Sequence, residues 1–137
     1  MTIKALELVL NLNEPRRILI IEDKVSFALR LRTFLVRRGH SVHSYSGVER
    51  GGDVLFGIDP HHDDAPACLD LTQYDVCFLD HYFAGDDFNG SSFLTVLADF
   101  PIRVCGMSSV DSANEAMRRR GALTALRKDL LDQLLTL

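Results

Sequence analysis

The chain has 137 residues, 47% of them apolar and 25% charged, with a formal net charge of −4. That is one domain's length, enough to bury a proper core, and the acidic balance argues against a nucleic-acid partner, since such proteins carry basic surfaces. No run approaches the ~20 apolar residues that span a bilayer, and Lys4 and Glu7 interrupt any leader-like start, so a cytoplasmic protein without membrane contact is expected.

Residues 3–12 set Leu6, Leu8, Leu10 and Leu12 in alternation with Glu7, Val9 and Asn11, a period of two. A helix through Ala5, Leu8, Val9 and Leu12 fits almost as well. The alternation favours an added strand, or an arm over residues 1–15 that packs on a partner and offers a route to a homodimer. Pro15 ends the arm. Arg17 to Ile21 is a fully apolar strand that runs into Glu22-Asp23. A helix follows, with Phe27, Leu31, Phe34 and Leu35 on one face and Gly39 at its end. Val42 to Tyr45 reads as a short strand, and Val48 to Phe56 as a weak helix interrupted by Gly51-Gly52.

Residues 57–73 read as an elongated surface loop, punctuated by Pro60 and Pro66. His61, His62, Asp63 and Asp64 lie together in it. A zinc site needs four placed ligands, so a loop is expected there rather than a metal centre. Val76-Cys77-Phe78-Leu79 is a continuous apolar run between Asp75 and Asp80, the pattern of a strand buried on both faces. A polar loop, 81–90, leads to a helix with Phe93, Leu94, Leu97 and Phe100 on one side, broken by Pro101. Ile102 to Met107 is the next strand, ending at Ser108-Ser109. Ser112 and Glu115 have the S-x-x-E spacing of a capping box, and Gly121 closes the helix they introduce. Ala122 to Leu126 forms the last strand, ending at Arg127-Lys128, before an amphipathic tail with Leu130, Leu131, Leu134 and Leu135.

Cys77 and Cys105 fall inside strands as small apolar residues. Together with Cys68 they make an odd count without CxxC spacing, which fits a reducing compartment. The arginine clusters at 16–17, 37–38 and 118–120 belong to helix ends and solvated faces. Strands alternating with helices imply βαβ units and a parallel, doubly wound sheet.

In such a sheet, ligands gather at the carboxyl ends of the strands. Glu22, Asp23, Asp80, Ser108, Ser109 and Lys128 all belong to that edge. Like charges ~4 Å apart repel by about 4 kcal/mol at an effective dielectric of 20, so the carboxylates need a divalent cation or the lysine to neutralise them. Oxygen ligands favour a hard ion, and Mg²⁺ takes one or two carboxylates with waters and phosphate oxygens. In such a site the ion and the ammonium stabilise a phosphoryl group, while a carboxylate supplies the nucleophile.

The motifs Ile-Leu-Ile-Ile-Glu-Asp at 18–23, Val-Cys-Phe-Leu-Asp at 76–80, Met-Ser-Ser at 107–109 and Gly-Ala-Leu-Thr-Ala-Leu-Arg-Lys at 121–128 resemble, in that order, a two-component response-regulator receiver domain. The resemblance runs from about Arg16 to the C-terminus. It implies a flavodoxin-like, five-stranded parallel sheet of order 2-1-3-4-5 with an N-terminal extension. By the same resemblance Asp80 is the phosphoacceptor, and Mg²⁺ is held by Glu22, Asp23, Asp80 and the Tyr82 carbonyl. Ser108, with Ser109 as the alternative hydroxyl, and Lys128 bind the phosphoryl group.

The chain departs from the family at several positions. Ala84 stands where proline is usual, and the following glycine comes late, at Gly90. Ala125 replaces the switch aromatic, and Asp129 replaces the proline after the lysine. The function implied is a single-domain regulator without an output domain. It would be phosphorylated by a sensor histidine kinase or phosphotransfer protein, and would signal by phosphorylation-dependent binding of a downstream protein. It would not be a metabolic enzyme and would not contact nucleic acid directly. Two other readings are a degenerate receiver serving as a docking or dimerisation module, and an aspartate-nucleophile phosphohydrolase. The phosphohydrolase wants a second aspartate where Tyr82 stands.

Overall fold

A computed structural model describes residues 1–59 and 67–136. The cluster His61, His62, Asp63 and Asp64 lies outside them. Five parallel strands form the main sheet: β1 (Arg17–Ile21), β2 (Ser41–Tyr45), β6 (Val76–Asp80), β7 (Arg103–Met107) and β8 (Thr124–Leu126), in the order β2-β1-β6-β7-β8. Counting the parallel strands alone, this is the expected 2-1-3-4-5. Register pairs Ile21 with Leu79 and Asp80 with Met107, so the acidic strand ends lie side by side.

Side chains alternate across a strand, and here they divide the core in two. Ile18, Ile20, Val76, Phe78, Cys105 and Met107 face one layer, with α2 (Val25–Arg37) and α5 (Lys128–Leu135). Leu19, Ile21, Cys77, Leu79 and Val104 face the other, with α3 (Gly90–Leu97) and α4 (Asp111–Arg119). All these strand residues are buried, which explains why the strands read as unbroken apolar runs. Among the described residues no helix is long and apolar enough to cross a membrane.

The N-terminal segment is not a strand. It forms α1 (Ile3–Val9), capped by Thr2, whose hydroxyl accepts the Ala5 N–H. Leu6 and Leu10, one turn apart, and Leu12 beyond the helix are buried in the chain's own core against α2 and α5. Leu8, which the alternating pattern placed on the same face as these leucines, is 72% exposed. The period-two reading failed because i, i+4 neighbours share a helix face whereas i+2 does not.

Val48 to Phe56 is not a helix either. β3 (Gly47–Gly51) and β4 (Val54–Ile58) form an antiparallel hairpin, and β5 (Ala67–Cys68) adds a third strand. Gly52, at φ 63°, occupies the tight turn that pairs Gly51 with Val54. A left-handed turn flanked by strand-forming residues favours a hairpin over a helix. The stretch expected to be loop therefore contains the end of β4, β5 and a 3₁₀ turn over Leu71–Gln73. A small sheet, with Val48 buried on the α3–α4 layer, thus fills much of the connection from β2 to β6.

The expected capping box is also displaced. Ser108 Oγ accepts the Val110 N–H at 3.1 Å and turns the chain into α4 before Ser112 is reached. Ser112 is therefore already helical, and Glu115 instead pairs with Arg118 and Arg119. A reciprocal capping box does occur on α3, where Asn89 and Ser92 exchange side-chain to backbone bonds.

Candidate functional site

β1 delivers Glu22 and Asp23, β6 delivers Asp80, β7 leads into Ser108, and the turn after β8 leads to Lys128, the first residue of α5 rather than part of a strand. One carboxylate oxygen from each of Glu22, Asp23 and Asp80 lies within 4.8 Å of the other two. Lys128 Nζ reaches Glu22 Oε1 at 2.6 Å and Asp80 Oδ2 at 3.2 Å, and lies 5.7 Å from the centre of the Phe27 ring. Glu22 is 1% exposed and Asp80 3%, whereas Asp23 faces solvent.

The backbone orients these carboxylates. Asp80 Oδ1 accepts the His81 N–H at 2.8 Å, and Glu22 Oε2 accepts the Lys24 N–H at 3.2 Å. A Cβ on Gly90 would fall 2.5 Å from the Asp80 carbonyl oxygen, so glycine is required where α3 starts against the end of β6. The Gly90 N–H donates to His81 O at 2.8 Å and closes the base of the 81–89 loop. The glycine that comes late in the sequence is therefore next to Asp80 in space.

Burial, the neighbouring Asp80 carboxylate and a hydrogen bond with it raise Glu22 to about 7, against the opposing pull of Lys128. Asp80 is raised by burial, with Lys128 pulling the other way. Asp23 is raised by partial burial and by Glu22. Burial alone would lower Lys128, but the Glu22 and Asp80 carboxylates outweigh it and hold the ammonium above its ordinary range. Three carboxylates share one ammonium, so negative charge is left over. That donor set, all oxygen and short of positive charge, fits a hard divalent ion.

Ser108 is buried and Ser109 exposed, so the fold separates the two candidate hydroxyls. The Ser108 carbonyl accepts Asn114 Nδ2–H at 2.9 Å, and its N–H donates to Leu126 O at 3.2 Å. Tyr82 lies two residues past Asp80 and is 60% exposed, with its ring edge-on to His81. Ala125 is buried, and its carbonyl oxygen accepts from the Arg118 guanidinium.

Two polar residues escaped the sequence reading. Asn114 was read as part of a helix start, yet it is buried beneath Ser108 with its Oδ1 unpartnered. His81 was read as loop, yet it is buried, with Nε2 3.0 Å from Ser91 Oγ. Asn114 lies in a helix of strongly polar composition, and no sequence signal distinguished its inward turn from a solvated one.

No protein-family model and no curated protein matches this chain. Solved structures do. A two-component response regulator from Clostridium difficile superposes with a TM-score of 0.58 at 17% identity, over 88% of this chain and 89% of its own. A response regulator from Chloroflexus aurantiacus J-10-fl gives 0.58 at 17% identity, over 90% and 100%. A response regulator from Burkholderia pseudomallei, whose structure holds a phosphorylated aspartic acid, a calcium ion and citrate, gives 0.56 at 18% identity, over 87% and 66%. By its sheet order, its helical layers and these superpositions, the chain has the fold of response-regulator receiver domains.

Proposed function

We propose that the protein is a response-regulator receiver that accepts a phosphoryl group on Asp80. The observation that carries this reading is the buried Asp80 carboxylate at the end of β6, 3.2 Å from Lys128 and clustered with Glu22 and Asp23. A carboxylate oxygen of Asp80 attacks the phosphorus of a phosphohistidine on a histidine kinase or phosphotransfer partner. The P–N bond breaks, the imidazole nitrogen keeps its electron pair, and an acyl phosphate forms on Asp80.

Glu22, Asp23, Asp80 and the Tyr82 carbonyl would hold Mg²⁺, which offsets charge on the phosphoryl oxygens when bound. Lys128 already bonds Asp80 and supplies a second positive charge to those oxygens. The Ser108 hydroxyl, now accepting the Val110 N–H, is the donor assigned to a phosphoryl oxygen, with Asn114 holding the Ser108 backbone in place. The phosphorylated aspartate and divalent cation in the Burkholderia structure support the assignment. The modified surface then binds a downstream protein in the cytoplasm.

Ala125 favours a second reading, a docking module that works without phosphorylation. A buried methyl stands where the switch aromatic would rotate, and Arg118 occupies its carbonyl. Intact-protein mass spectrometry after incubation with acetyl phosphate and Mg²⁺ separates the two. A single phosphoryl adduct, lost in Asp80→Asn and in chelator, is expected. Absence of the adduct, together with absence of Mg²⁺ binding, selects the docking module.

A further inference from the structure

The loop that follows Asp80 is held by a part of the fold that the proposed chemistry does not use. Ser46 O accepts the Ala84 N–H at 3.0 Å, and Gly47 and Ala84 form a parallel bridge. A Cβ on Gly47 would lie 1.8 Å from Ala84 O, so the two backbones touch with no room between them. Farther along β3, the Arg50 N–H donates to Asp87 Oδ2 at 2.8 Å, and the Arg50 guanidinium lies 5.1 Å from the centre of the Phe88 ring. Phe88 in turn meets Phe93 of α3 edge-on at 5.3 Å. The loop is thus pinned to β3 at residues 84, 87 and 88, and Tyr82 lies between Asp80 and the first of these pins.

Resting on the metal-binding reading above, we propose that β3 positions the metal centre, and that Asp87 is the positioning residue through which it holds the 81–88 loop ready for the ion. An untethered loop would lose conformational entropy when the ion fixed the Tyr82 carbonyl. A latch already closed removes that cost before binding. Asp87 donates no ligand to the ion. It acts through the backbone N–H of Arg50.

The test is Mg²⁺ titration by calorimetry on the full chain and on Asp87→Ala and Asp87→Asn, with thermal unfolding of all three in chelator. Asparagine keeps an acceptor oxygen for the Arg50 N–H and removes the charge. The alanine variant is expected to bind Mg²⁺ about three- to tenfold more weakly, the loss of one partly solvated hydrogen bond to a charged group. The asparagine variant is expected to stay within about twofold of the parent, and the metal-free melting temperature to fall by a few degrees at most in the alanine variant, which loses the latch before any ion binds. Equal affinities in all three proteins overturn the proposal. So does equal weakening in both variants, because charge attraction rather than the latch then draws the ion. A parent chain that binds no Mg²⁺ overturns the metal centre and this inference together, and is seen before any variant is compared.

Discussion

Strand β6 begins after one aspartate and ends on another, and the two live in opposite electrostatic worlds. Asp75 lies at the amino end, partly exposed, with Arg17 wrapped around it through two guanidinium contacts and the Arg17 N–H. Arg17 holds its carboxyl below the usual range. Asp80, at the other end of the same strand, is buried beside two further carboxylates with one lysine among them, and its pKa moves up. The amino edge of the sheet is closed by packing and matched charge: α1 covers the core there, and Arg103 donates to Val9 O. The carboxyl edge carries like charges that folding alone would not gather. Like charges gathered at one edge, while the other pairs aspartate with arginine, are consistent with the proposed metal site.

Removing the Lys128 ammonium from the cluster breaks the comparison hardest. Lys128→Ala leaves the buried Glu22 and Asp80 without their ammonium partner and is expected to cost about 3 kcal/mol or more. Urea denaturation at pH 7 measures it, and Mg²⁺ should recover part of the loss. At the opposite edge, Leu10→Ala empties a fully buried position and is expected to cost about 2–4 kcal/mol. Leu8→Ser, on the exposed side of the same helix, should change stability by less than about 0.5 kcal/mol. A large effect at Leu8 and a small one at Leu10 would point to an arm that packs on a partner instead.

The two aspartate neighbourhoods also predict opposite pH slopes. Glu22 has an ordinary value of 4.5 and a folded value of about 7, so between those values the native state holds more protons than the unfolded one. Its contribution to stability is therefore lost as pH rises through that window. Asp75 is lowered from 3.8, so its contribution is present above that pH and is lost as the solution is acidified below it. Glu22→Gln should reduce the neutral-range slope and leave the acidic limb intact. Mg²⁺ affinity should rise across the same interval, because the ion competes with the Glu22 proton. A small effect is expected from Arg17→Ala, because solvent screens its largely exposed pair with Asp75, and the same denaturation reads it.

Most of the sheet was legible residue by residue. Ile18–Ile21, Val76–Leu79 and Val104–Met107 are buried on both faces, so their apolar runs carry no alternation and could be recognised by that alone. α2 and α3 showed their inward faces through Phe27, Leu31 and Leu35, and through Phe93, Leu94 and Leu97. The polar residues at the strand ends followed from the same logic, since each marks where a buried strand meets water. The hairpin β3–β4 was misread because Val48-Glu49-Arg50 is too short to distinguish a period of two from 3.6. Its pairing is settled by Gly52 and by contact with Ala84, 37 residues from Gly47.

By itself the amino-acid sequence determined a five-stranded α/β domain and the set of polar residues at one of its edges. Burial and periodicity are local properties written into consecutive residues. Only the tertiary structure decided that Ser108 rather than Ser109 faces inward, that Asn114 supports it, that α1 covers its own core and that β3 holds the loop after Asp80. Each of these depends on which distant backbone lies alongside, and no local pattern in the chain carries that information.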